Sequence, residues 1–279
     1  MKYIVVKSFL GFGDRLEALK MCVDYAIKHK LQIFVDWSDS IWSHKSESFY
    51  TYFSLDMPTM KLEDLEGLSV YPTFWKGRLT EKMNDTIFRD SSNEIGQLQG
   101  IYNADVIVSK CCNIRHVYID NSFFNNIFKV IDPRIIEEVK RRQDTYKLSK
   151  CWGIHLRGTD RASNLDYKET RVTALVTKLV ANGFFNSRCV IVSDDEEYIM
   201  IWKRRWGHQH PVLSSFTLGG NQGSHRITNP SISKDILNVN LLIDFFTLAS
   251  CSRIFTTAHD SRFAREALKI SPSIKRILE

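Results

Sequence analysis

The feature that most constrains this chain is a strict alternation in its C-terminal half, where short apolar runs and helical stretches follow one another from Trp152 onward. The run 152–156 precedes a helix over 170–181, and the run 189–192 precedes a helix over 196–205. The run 212–216 precedes a helix over 234–249, and 253–256 leads into a last helix starting near Ser261. Strands that alternate with helices predict parallel pairing through helical crossovers, and so an α/β fold with a doubly wound sheet.

The N-terminal half opens in the same way. Residues 3–7 read as a buried strand, Gly11 and Gly13 break it, 16–29 reads as a helix, and 31–37 as a second strand. Further strands are expected at 68–74 and 104–110. The stretch 38–61 is aromatic and polar without a period, which predicts loops and short helices. Pro133 opens a charged helix to about residue 147, and the domain boundary is set there, giving domains 1–148 and 149–279. A length of 279 residues suits two domains of ordinary size. Two such halves predict a ligand site in a cleft between them.

Composition removes several classes. Hydrophobic residues at 43% and charged residues at 25% describe a globular chain. The net charge of +6 is spread in short clusters, Lys140 to Arg142 and Lys203 to Arg205, on helical faces. A nucleic-acid binder needs a continuous basic stripe or a recognisable module, and neither is present. The six cysteines form no C-x-x-C pair, which predicts no zinc site, no disulfide framework and a reducing compartment. No signal-peptide pattern and no apolar run of membrane-spanning length are found. The expectation is a cytoplasmic protein with no membrane span.

Four segments could carry chemistry. In the first, Gly11 and Gly13 permit a sharp turn after a strand, and the following helix N-terminus offers free N–H groups to an anion. Asp14 and Arg15 are expected to point into the cleft, or Asp14 to cap the helix. In the second, His155, Arg157, Gly158, Thr159 and Asp160 stand at the C-terminal end of a strand, where open α/β sheets bind ligands. The planar fork of Arg157 suits a diphosphate, whose negative charge grows as it departs. The bland alternative is a surface corner with Arg157 paired to Asp160. The third is Asp194 and Asp195 after strand 189–192, able to accept from a ribose or base N–H or to cap the next helix. The fourth is the helix from Asp244 and the turn carrying Thr257, His259, Ser261 and Arg262, a second phosphate cradle.

In order and spacing these segments resemble the two-Rossmann-domain (GT-B) fucosyltransferases: rhizobial nodulation enzymes, core α1,6-fucosyltransferases and protein O-fucosyltransferases. The run from Gly153 to Arg161 is similar to their His-x-Arg-x-Thr/Gly-Asp motif, Asp194 and Asp195 to their Asp-Asp, and 244–251 to their Asp-x-x-x-Leu-Ser-x-Cys helix. The resemblance is good over 151–267 and rests on the glycine loop alone before that. Gly158 stands where the core enzymes carry a second Arg, and Leu165 and Asp166 stand near the place of their Glu.

The resemblance implies a GT-B fold, two Rossmann-like domains facing a central cleft. It implies an inverting, metal-independent glycosyltransferase with no cofactor, a nucleotide-sugar donor and a glycan acceptor. GDP-fucose is the first donor expected, and a UDP-pentose such as UDP-xylose the second. By carry-over Arg157 would hold the β-phosphate, His155 and Asp194 or Asp195 would contact base or ribose, and Thr257 and Ser261 would bind phosphates. Gly11, Gly13, Arg15, Asp160 and Arg262 complete the expected donor site. The acceptor hydroxyl needs a base: Asp14 is the first candidate, Asp166 the second and Asp36 the third. The alternative from another class is a non-catalytic nucleotide-sugar or glycan-binding protein on the same fold. A nucleotide kinase or reductase would need a P-loop or a full Gly-x-Gly-x-x-Gly, and both are missing.

Overall fold

The computed structural model describes residues 2–91, 98, 100–110, 126–158, 164–215, 217 and 232–279. The chain divides into two compact units, Met1–Ile131 with Arg276–Glu279, and Asp132–Lys275.

In the first unit the strands β1 (Tyr3–Lys7), β2 (Gln32–Asp36), β4 (Val70–Tyr71) and β5 (Val106–Lys110) form a parallel sheet in the order β2-β1-β5-β4. The central strand is apolar because it is covered on both faces: Ile4, Val5 and Val6 are buried. Helix α1 (Phe12–His29) follows β1 directly and buries Leu16, Leu19 and Val23. The stretch 38–61 is more ordered than its lack of period suggested. It holds helix α2 (Phe49–Tyr52) and strand β3 (Phe53–Leu55), which pairs antiparallel with β6 (Phe128–Val130). The expected strand 68–74 shrinks to β4, since Pro72 cannot donate to a ladder and a 3-10 turn, Thr73–Trp75, takes over. Helix α3 (Asp85–Asp90) is capped by Asn84.

In the second unit β7 (Cys151–Leu156) lies between β8 (Arg188–Ser193) and β9 (Arg253–Thr256), all parallel. Helices α5 (Leu165–Ala181), α6 (Glu196–Trp206), α7 (Lys234–Ala249) and α8 (Arg262–Ile270) alternate with them, and a short α9 (Ile274–Ile277) follows, its last two residues belonging to the first unit. The alternation read from the sequence is therefore an α/β fold with parallel sheets. Every residue of β7 is buried. Ile154, Leu175, Ile191 and Trp202 share one core cluster. Gly153 lets α7 press onto β7, for a Cβ there would stand 3.0 Å from Leu248 and 3.1 Å from the Cys251 sulfur.

The expected strand 212–216 is a correction. It is reduced to a single bridge between Val212 and Ile191. Polar side chains replace the ladder beyond it: Ser193 donates its N–H to the Ser214 hydroxyl at 2.8 Å, and Ser215 donates its own to Asp244. Phe216 lies outside the described residues, as do Cys111 and Cys112. The charged helix α4 (Pro133–Tyr146) belongs to the second unit. Its buried Arg142 explains why: the guanidinium donates to the Leu213 carbonyl at 2.5 Å, to Asp244 at 3.2 Å and to Thr247 at 3.1 Å.

Candidate functional site

Parallel strands end on the same side of a sheet, so the order β8-β7-β9 brings three strand ends together. Leu156 pairs with Ser193 and His155 with Thr256. The next residues out are Arg157 and Gly158, Asp194 and Asp195, and Thr257. These are sequence-predicted residues from three separate segments, and hydrogen bonds join them. Arg157 donates its amide to the Thr257 hydroxyl at 2.9 Å, and Thr257 donates its own to the His155 carbonyl at 3.1 Å. Asp194 closes the corner on the other side, accepting from the Arg157 guanidinium at 3.2 Å and from the Gly158 amide at 3.0 Å. The Arg157 side chain keeps 17% of its surface exposed and Asp194 keeps 14%. That is enough for a ligand to reach a guanidinium already held in place.

The two aspartates have different jobs. Asp195 is buried and caps α6 through the Tyr198 amide at 3.1 Å, while its other oxygen takes Lys168 at 2.6 Å. Burial pushes the Lys168 pKa down, but hydrogen bonds to Asp195 and Glu197 outweigh it and the net shift is upward. Asp195, expected to touch the donor, is thus a structural cap. His155 is also buried, stacked on Phe263 with ring centroids 5.3 Å apart and Nδ1 at 3.3 Å from the Thr256 hydroxyl. At 2% exposure it has almost no surface for the expected contact with base or ribose. Ser261 caps α8 through the Ala264 amide at 3.3 Å. Arg262, the first residue of α8, is exposed, and partial burial with the nearby Arg265 lowers its pKa. Asp160 lies outside the described residues.

The first-unit candidates separate in the same way. Gly11 caps α1 with its backbone alone, its carbonyl accepting the amides of Asp14 and Arg15, and Gly13 is buried in the first turn. Arg15 does not point into a cleft. Its side chain is 0% exposed. Nε donates to the Leu10 carbonyl, the two terminal nitrogens form a fork on Asp39 at 2.8 and 2.7 Å, and Trp37 and Trp42 lie 5.4 and 5.3 Å from the guanidinium carbon. Asp36 is likewise taken, its carboxylate 2.5 Å from the fully buried Lys7. Asp166 is exposed and lines a groove of about 550 Å³ with Glu169 and Thr173 of α5 and Arg205 of α6, not with Arg157. Asp14 is half-buried in the first turn of α1.

Sequence reasoning missed Arg171, Tyr167 and Tyr198. Arg171 donates to the Tyr167 hydroxyl at 2.8 Å and reaches the Thr257 carbonyl at 3.5 Å. Burial pushes the Tyr198 pKa up to about 12, with the nearby Thr257 hydroxyl opposing the rise. No local motif marks these residues. Among the described residues no group of three His, Cys, Asp or Glu could hold a metal ion, and no helix is long and apolar enough to cross a membrane.

No protein-family model and no curated protein matches the sequence. Solved structures do. A NodZ α-1,6-fucosyltransferase soaked with GDP-fucose is 19% identical, with a TM-score of 0.67 over 96% of this chain and 92% of that one. Fucosyltransferase NodZ from Bradyrhizobium is 17% identical, with a TM-score of 0.67 over 96% and 93%. The chain has their fold. A mutant of Arabidopsis thaliana FUT1 in complex with GDP is more distant, at 12% identity and a TM-score of 0.56 over 97% of this chain and 68% of that one. The expected likeness to GT-B fucosyltransferases therefore holds at the level of fold, and extends over the N-terminal half where the sequence offered only a glycine loop.

Proposed function

We propose that this chain is a glycosyltransferase that takes a nucleoside-diphosphate sugar, GDP-fucose first, and transfers the sugar to a glycan with inversion. The observation that carries the reading is Arg157, fixed at the C-terminal end of β7 by Thr257 and Asp194 with its guanidinium still reachable. The fold likeness to a NodZ structure soaked with GDP-fucose and a FUT1 structure in complex with GDP supports the same donor class.

In this reading an acceptor hydroxyl attacks the anomeric carbon from the face opposite the diphosphate. The bond from that carbon to the phosphate oxygen breaks, and its electron pair leaves with the diphosphate. Arg157 stabilises that charge as it forms, which is where a preorganised cation lowers the barrier. The hydroxyl proton passes to a carboxylate. Asp36 is locked to Lys7 and Asp166 sits on an outer face, so Asp14 carries the role. The helix N-terminus favours its ionised form. Arginine charge in place of a metal makes the transfer metal-independent in this account. The buried free thiols of Cys22, Cys151, Cys189 and Cys251 suit a reducing compartment, and the reading places the protein in the cytoplasm.

The test is release of nucleoside diphosphate from GDP-fucose and UDP-xylose, with and without added glycans, in excess EDTA. Turnover with one donor supports the reading, and its identity settles the sugar. Binding without turnover supports the non-catalytic alternative. Turnover that needs added manganese removes the metal-independent mechanism.

A further inference from the structure

Arg157 shares its charge with Asp194 at 3.2 Å. A departing diphosphate carries more than one negative charge, so one partly neutralised guanidinium is a thin counterweight. The next residue cannot supply another. A Cβ on Gly158 would stand 2.3 Å from the Cβ and Oδ2 of Asp195. Asp195 is itself fixed by Lys168 at 2.6 Å and by its cap bond to the Tyr198 amide.

A cation does stand nearby, on α5. Arg171 lies one turn beyond Lys168, on the same side of the helix. It is half-buried. Its Nε donates to the Tyr167 hydroxyl at 2.8 Å, Nη2 donates to the same oxygen, and the guanidinium carbon sits 4.9 Å from the Tyr167 ring centroid. Its Nη1 reaches the Thr257 carbonyl at 3.5 Å, while the Thr257 hydroxyl holds the Arg157 amide at 2.9 Å. Both arginines therefore meet at Thr257. Some helix-surface arginines here have carboxylate partners, such as Arg204 with Glu169 at 3.0 Å and Arg141 with Glu138 at 2.6 Å. Among the described residues no carboxylate pairs with Arg171. A phenol holds its charge in one orientation beside the site.

We infer that Arg171 is a second cationic ligand for the phosphates of a nucleoside diphosphate, acting with Arg157 across Thr257, and that Tyr167 positions it. This rests on the donor reading above. Arg171 then contributes more to a diphosphate than to a monophosphate, because the diphosphate carries the extra charge.

Isothermal titration of GDP and GMP into the full chain tests this, comparing wild type with Arg171→Gln, Arg171→Lys and Tyr167→Phe. Arg171→Gln keeps the stem and removes the charge. It should weaken GDP about tenfold or more and GMP less than about threefold, as expected for one charge-assisted contact. Arg171→Lys should recover part of the loss, and Tyr167→Phe should show a smaller loss with the same preference for GDP. Equal losses for GDP and GMP, or no loss, would overturn the assignment of Arg171. If wild type binds UDP rather than GDP, the UDP and UMP pair replaces it. If wild type binds no nucleoside diphosphate, the donor reading falls and takes this inference with it. If wild type binds and the variant keeps the full diphosphate preference, the donor reading stands and only Arg171 is removed.

Discussion

A Cβ placed on Gly158 would stand 2.3 Å from the Cβ of Asp195. Asp195 cannot retreat without giving up Lys168 at 2.6 Å and the Tyr198 amide at 3.1 Å. Gly158 is therefore required by close approach. Gly158→Ala should destabilise the second unit by about 1–3 kcal/mol, the usual cost of forcing an extra carbon into a packed site. Thermal melting checks this, and a variant that melts with wild type would mean the backbone moves aside freely.

Arg157→Ala should leave the fold intact and lower turnover about a hundredfold or more, the scale expected when a contact to the leaving group is lost. Arg157→Lys should recover little, because a point charge does not replace a fork already aligned by Asp194. Steady-state rates beside circular dichroism separate this from misfolding. Near-normal rates would make the corner structural.

Much of the second unit was legible because its signals are local. Asn164, Asp195, Ser233 and Ser261 each accept a backbone N–H at a helix start, as such residues usually do. Burial of every residue explains the largely apolar composition of β7. What failed was non-local. Nothing near Arg15 announces that Asp39, Trp37 and Trp42 will enclose it, so a buried fork read as a ligand contact. Strand 212–216 looked continuous, yet Ser214 and Ser215 turn its hydrogen bonds to Ser193 and Asp244. Arg171 carries no motif. Its meaning comes from Thr257, which reaches it only through the pairing of β7 with β9.

Asp14→Asn tests the base. The substitution keeps size and polarity at the first turn of α1 and removes the proton acceptor. Donor affinity by titration should stay near wild type while transfer falls by about a hundredfold or more, the range of general-base contributions. Unchanged transfer would remove Asp14 from the mechanism.

Asp244 offers a pH test. Burial raises its pKa to about 6, against the opposing pull of Ser215 and Arg142. A raised carboxyl pKa means that the folded state holds its proton more tightly than the unfolded chain. The resulting stabilisation is full below the ordinary carboxyl pKa of about 4 and is lost as pH rises through about 6. Asp244→Asn cannot titrate. The difference in melting temperature between wild type and Asp244→Asn should therefore shift in favour of wild type on going from pH 7 to pH 5. A difference that does not change with pH would contradict the raised pKa.

The central claim is that the strand ends around Arg157 bind a nucleoside diphosphate, and a thermal-shift series with GDP, UDP and dTDP tests it most directly. A ligand at a hundred times its dissociation constant stabilises the native state by about 2.7 kcal/mol, well within reach of a melting curve. The account predicts that one of these nucleotides, GDP first, raises the melting temperature of wild type and fails to raise that of Arg157→Ala. No shift with any of them, or an equal shift in both proteins, would contradict it.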